Sequence, residues 1–234
     1  MRKCSKVIAS IMLTLAVGLA AGCTKDNGGN GTYKGHDYVD LGLPSGTMWA
    51  TCNVGADSPD QYGDYFAWGE TAPKATYNWS TYVYSEGDYN QLTKYCTQSD
   101  FGFNGFTDNL KTLQSSDDAA TANWGEGWSI PTYNQWVELL TKCDYSWSTV
   151  NGVKGCLFTS RNGNSIFLPA GDKRDDEESR LIGDEGSYWS STLHSYMPDG
   201  VKGCQFIISF DDCDLYDTFG RAMGRPVRAV CSSK

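Results

Sequence analysis

The stretch KGCQFIISFDDCDLYDTFG, close to the C-terminus, sets two cysteines, Cys204 and Cys213, among four aspartates. A cysteine attacks through its thiolate, which forms where nearby positive charge lowers the thiol pKa. Asp211, Asp212 and Asp214 surround Cys213 instead, and negative charge pushes a thiol the other way. Neither histidine, His36 nor His194, stands in a recognisable acid–base motif. The chain has no C-x-x-C pair and only two histidines, so a structural zinc site is not expected. The acids of GDKRDDEESRLIGDEG, 171–186, lack EF-hand spacing, and that run reads as a solvated loop. No cofactor is expected.

Cys23 has a clearer chemistry. A basic start (Arg2, Lys3, Lys6) leads into an apolar run over 7–21, too short to span a bilayer comfortably. This is the layout of a secretory leader. The residues Leu19-Ala20-Ala21-Gly22-Cys23 resemble a bacterial lipobox, with Ala20 where leucine is usual. In such a motif the thiol is diacylated and the cysteine becomes the mature N-terminus. Two or three acyl chains anchor a protein stably where one does not. The chain thus divides into a leader over 1–22, a lipidated Gly-rich flexible tether over 23–34, and one domain over 35–234. Thr24-Lys25-Asp26 partly matches the lysine-plus-acid signal of surface lipoproteins in Bacteroidetes. The expected place is the cell envelope, as an outer-membrane lipoprotein facing the periplasm or the outside.

Loss of the leader takes the formal charge from −9 to −12, because three basic residues leave with it. An acidic chain gains nothing from phosphate attraction, so nucleic acid is not an expected partner. Anionic lipid would repel it, which leaves the lipid on Cys23 to attach it to the membrane. Setting Cys4 and Cys23 aside, seven of the nine cysteines remain. Disulfides are permitted outside the cytoplasm, and an odd number leaves at least one thiol unpaired.

The elements that must position these residues are partly legible. HDYVDLGLPSGTMWATCNVG reads as a strand, a tight turn at Pro44-Ser45-Gly46 and a second strand ending near Cys52. QYGDYFAWGE is aromatic and turn-rich, and reads as irregular. A short helix is expected over 117–123. The clearest helix follows Thr132, an N-cap whose capping box is completed by Gln135. Trp136, Leu139 and Leu140 then fall on one apolar face. Strands are expected over 154–159, 165–168, 188–191, 204–210, 215–219 and 225–230. Alternation puts Cys204, Phe206, Ile208 and Phe210 on one face, expected to be core, and Gln205, Ile207 and Ser209 on the other. Cys213 sits by the turn and Cys204 at the far strand end, so a disulfide between them is not expected.

YVDLGLPSGTMWATCNVGA, GDYFAWGET, DDAATANWGEGWSIPTYNQWVELL, NGNSIFLPA, YWSST and RPVRAV, in that order, resemble the Fibrobacter succinogenes major paralogous domain family over roughly 33–230. GWSIPTYNQWVELL is also similar to the helix segment of formylglycine-generating-enzyme-like domains. The resemblance implies an α+β fold of the C-type-lectin-like kind: a twisted, mainly antiparallel sheet, one or two flanking helices and long irregular loops. TFGRAMGRPVRAV departs from the family, which usually has an aromatic-rich stretch before its last strand.

Three functions follow as expectations. An enzyme of the formylglycine-generating type would use a reactive cysteine pair, against which the acids around Cys213 argue. Calcium-dependent sugar binding would need Glu-Pro-Asn or Gln-Pro-Asp and Trp-Asn-Asp, and the chain offers only Met197-Pro198-Asp199. The favoured reading is a non-enzymatic display module whose C-terminal strands and loops contact an extracellular protein or glycan. Its candidate contacts are His194, Tyr196, Asp211, Asp212, Asp214, Tyr216, Phe219 and Arg221. Some domains of this fold are variable proteins of diversity-generating retroelements. Adenine-directed mutation of Asn codons cannot yield Met, Lys, Gln, Glu or Trp. These types make up 38 of the 234 residues, yet only Gln205 represents them over 203–222.

Overall fold

The computed structural model describes residues 29–171, 173–176, 178–180, 183–193, 203–209, 213–218 and 220–232, with the backbone alone for 178–180, 203–204 and 216–218. The N-terminal part forms β1 (Gly31–Tyr33), β2 (His36–Asp40), β3 (Thr47–Asn53) and the short β4 (Tyr65–Phe66). After several 3-10 turns come α1 (Ala119–Trp124), β5 (Trp128–Ser129) and α2 (Tyr133–Lys142). Next are β6 (Cys143–Val150), β7 (Val153–Ser160), β8 (Ser165–Pro169), β9 (Lys173–Asp175) and β10 (Glu178–Arg180). The order closes with β11 (Glu185–Leu193), β12 (Gly203–Ser209), β13 (Cys213–Thr218), β14 (Arg225–Pro226) and β15 (Arg228–Ser232).

The class is α+β, and the named strands pair antiparallel. They do not form one sheet. The orders are β1-β2-β3-β15-β5, β11-β12-β13 and β6-β7-β8, with two-stranded pairs β14-β4 and β10-β9. The turn between β2 and β3 is closed by the Gly46 N–H donating to Leu43 O at 2.9 Å. Gly46 takes a φ of +70°, which glycine adopts without steric cost.

Two apolar cores lie on opposite faces of the central strands. Trp49 of β3, Tyr188 of β11 and Val230 of β15 enter one core, with Trp136, Phe158, Phe206 and Ile208. Met48, Ala50, Trp189, Ala229 and Cys231 enter the other, with Phe66, Trp68 and Trp128. Strands covered on both faces carry apolar residues at consecutive positions, as MWA in β3 and YW in β11 do. α2 starts as expected: the Thr132 side chain accepts from the Gln135 N–H, and Gln135 reaches back to the Thr132 backbone. This caps the helix end that seats Trp136 against Trp49 and Phe206, with ring centroids 4.8 and 4.5 Å apart.

Two expectations are corrected. The run 171–186 is not simply a solvated loop. It contains the β9–β10 hairpin, and Arg174 lies 4.6 Å over the Tyr65 ring while exchanging backbone hydrogen bonds with Gly224. The aromatic stretch around Tyr65 is not wholly irregular: β4 pairs with β14 and is buried.

Candidate functional site

The register of the β12–β13 hairpin decides what its side chains can reach. Phe206 opposes Leu215 and Ile208 opposes Cys213; Gln205 opposes Tyr216 and Ile207 opposes Asp214. Directly opposed residues share a face, and neighbours along a strand take opposite faces. The first set is core: Phe206 and Ile208 are wholly buried, Cys213 nearly so, and Leu215 packs against the same cluster. In the second set Gln205 and Ile207 are half-buried and Asp214 is exposed, and Ser209 further along the same face is half-buried. β13 is the edge of its sheet, and among the described residues no strand pairs with its outer side. An edge strand can pair with an incoming chain through its backbone, and on β13 the Leu215 N–H donates to Asp214 Oδ1 at 2.7 Å.

His194, Tyr196, Asp211, Asp212, Phe219 and Cys23 lie outside the described residues. Asp214 is exposed, and the backbone register sets Tyr216 opposite Gln205. Arg221 is a correction. It is wholly buried, its guanidinium 4.9 Å over the Trp68 ring and one Nη donating to Tyr95 O at 2.7 Å. An aromatic face and a carbonyl stand where water was expected, and burial lowers its pKa. It belongs to the scaffold.

The register also separates the two cysteines. Cys204 opposes Asp217 and Cys213 opposes Ile208, at opposite ends of the hairpin. Four strand residues span about 13 Å, well beyond the roughly 7 Å Cα reach of a disulfide. The Cys213 sulfur instead lies 3.5 Å from that of Cys156, inside the core.

A second feature escaped the sequence reading. A cleft of about 400 Å³ is lined by His36, Asp37, Thr51, Cys52, Asp57 and Trp124, among others. The His36 ring stacks on Trp124 with centroids 3.9 Å apart and planes 11° from parallel. α1 delivers Trp124, and its N-terminus is set by Asp118, whose side chain accepts from the Thr121 N–H at 3.0 Å. Asp37 accepts from the Thr32 hydroxyl at 2.6 Å. Burial lowers the His36 pKa against the opposing pull of Asp37, which favours the neutral imidazole with its one donor and one acceptor. The cleft can thus hold a neutral polar ligand by hydrogen bonds beside an aromatic wall. The only signal in the sequence was an aromatic and a histidine far apart in the chain, which nothing local brings together. Among the described residues, no group of three or more His, Cys, Asp or Glu is placed to hold a metal ion.

No family model, curated protein or solved structure matches the chain.

Proposed function

We propose that this chain is a non-catalytic binding and display domain on a C-type-lectin-like scaffold of the Fibrobacter succinogenes major paralogous domain type. Lipid on Cys23 holds it to the cell envelope, and its C-terminal strands and loops contact an extracellular protein or glycan. The observation that carries this reading is the two-faced hairpin: Phe206, Ile208 and Cys213 are locked in the core, while on the other face Asp214 of the edge strand is exposed and Gln205 and Ile207 are half-buried. A rigid back and an open front let a surface hold its shape with little ordering cost on binding. An enzyme of the formylglycine-generating type is less well supported. Cys213 is buried, and the neighbouring Cys156 thiol is held far above the usual range by its hydrogen bond to Cys213 and by burial.

If the segment is diversified by a retroelement, variation must spare Phe206, Ile208, Cys213 and Arg221, since all four are core. The exposed Asp214 is free to change, whereas Gln205 accepts from the Ser187 hydroxyl at 3.1 Å. Downstream DNA tests this: a reverse transcriptase and a near-copy of the 203–230 coding stretch are required.

The binding reading is tested by glycan-array and host-protein screening of the mature chain, followed by Ile207→Glu and Asp214→Lys. Each should weaken binding at least about tenfold, near 1.4 kcal/mol; the exposed Asp214→Lys should leave Tm unchanged, while Ile207→Glu, opposite Asp214, should lower it modestly. Binding that ignores both changes but is lost on Trp124→Ala would move the site to the cleft.

A further inference from the structure

Cys156 on β7 and Cys213 on β13 belong to different sheets and stand 57 positions apart, yet their sulfurs are 3.5 Å from one another. Both are buried, at 1% and 3% exposure. Both belong to the same apolar core as Phe158, Leu168, Phe206 and Ile208. The other cysteines with a described sulfur contact are engaged elsewhere: Cys96 donates to Gln98 O at 3.0 Å and Cys52 lies 3.5 Å from the Thr51 hydroxyl. A disulfide needs sulfurs at about 2.05 Å. The remaining gap of about 1.5 Å is within reach of two small side-chain rotations.

We infer that Cys156 and Cys213 become joined by a disulfide when the chain folds in an oxidising compartment, stapling the β12–β13 hairpin to the sheet beneath it. The bond itself does not depend on what the hairpin binds. The oxidant is a disulfide, either a small molecule such as oxidised glutathione or an oxidoreductase. One cysteine thiolate attacks a sulfur of that disulfide and releases one oxidant thiolate, leaving a mixed disulfide. The second cysteine thiolate then attacks the protein sulfur of the mixed disulfide and releases the second oxidant thiolate. Two protein thiols are oxidised to one disulfide, the oxidant is reduced to two thiols, and the two protons pass to the departing thiolates. In the closed core the sulfurs are shut off from oxidant and the Cys156 thiolate is scarce. The link therefore forms while the hairpin is docking, before the core seals.

The test uses the full-length chain, unfolded with reductant and refolded in a glutathione redox buffer. Remaining thiols are alkylated and the digest is mapped by mass spectrometry without reduction. A peptide joining Cys156 to Cys213 is expected in most molecules, and Cys204→Ser should leave its yield unchanged. Reducing the link should lower Tm by on the order of 5–10 °C. Alkylation of both Cys156 and Cys213, or capture of Cys213 by any other cysteine, overturns the inference. In a second arm the chain is folded under reductant and then given the same buffer. Linking should be at least about tenfold slower than during refolding, since access limits exchange; equal rates would overturn the coupling to folding.

Discussion

Asp117 and Asp118 are neighbours in the chain, yet their carboxyl groups are pulled in opposite directions. Burial alone would push Asp117 up. Hydrogen bonds from Lys94 at 2.6 Å, Tyr95 at 2.5 Å and Ser116 at 2.9 Å outweigh it and hold the pKa below the usual 3.8. For Asp118, burial wins over the N–H groups of Thr121 and Ile130, and the pKa rises. The signs follow from linkage. The depressed Asp117 contributes stability that is present above pH 3.8 and is lost as pH falls through its folded value. The raised Asp118 contributes stability that is present below pH 3.8 and is lost as pH rises through its folded value. Asp117→Asn should therefore cost about 1–3 kcal/mol at neutral pH, and the difference from wild type should shrink as the solution is made more acid. Asp118→Asn should behave in the reverse sense, with its deficit smaller at pH 7 than at pH 4. Thermal unfolding of the three proteins across that range checks both directions. A deficit for Asp117→Asn that grows on acidification would contradict the assignment.

At the scale of elements, α2 shows what local sequence can specify. Its start is written in Thr132 and Gln135, its buried face in Trp136 and Leu139, and all of these lie within eight residues. Thr132→Ala should cost about 1 kcal/mol through the lost cap. Trp136→Ala should cost about 3–5 kcal/mol, because its ring packs between Trp49 and Phe206 and a cavity would remain. Urea titration separates the two magnitudes. β12 was legible for a similar reason: its alternation matches the faces it presents. β6 was not, although it is eight residues long. It follows α2 without a turn, and after Cys143 its side chains are exposed or half-buried, so no apolar alternation marks it. The β9–β10 hairpin was read as loop because its residues are charged. Its hold on the fold comes from Tyr65, Tyr77 and Gly224, far off in sequence. The hairpin's outward face was legible, while the cleft at His36 and Trp124 depends on contacts that no local pattern encodes.

At the scale of the molecule, the last strand closes the first sheet. β15 lies between β3 and β5, so the five-stranded order is complete only when both ends of the domain have met. Arg221, Arg225 and Arg228 are all buried around this closure. The sequence marks a strand over 225–230 but not the burial of its arginines, because charge is normally a surface signal. Buried arginine persists only where fixed acceptors replace water. Arg228 shows how: Nε donates to Asn53 Oδ1 at 2.9 Å, one Nη to Ala50 O at 3.1 Å and Thr51 O at 3.0 Å, and the other to Phe167 O at 2.9 Å. One side chain on β15 thus ties β3 to β8. Burial lowers its pKa, which is the cost of that placement.

Arg228→Met tests whether this tie sustains the whole fold. Methionine fills much of the space but donates nothing, and the acceptors it strands sit on strands that cannot follow it. Each buried acceptor left without a donor costs about 1–3 kcal/mol. Even after credit for no longer burying a charge, a loss of about 3 kcal/mol or more is expected, a large part of a typical domain's stability. The exposed Arg161→Met is the control, expected within about 0.5 kcal/mol of wild type. Because β3, β11 and β15 feed both cores, the variant should still unfold in one step with an unchanged urea m-value. A shift no larger than the control's would make the guanidinium dispensable, and a second transition would show that the sheets unfold apart.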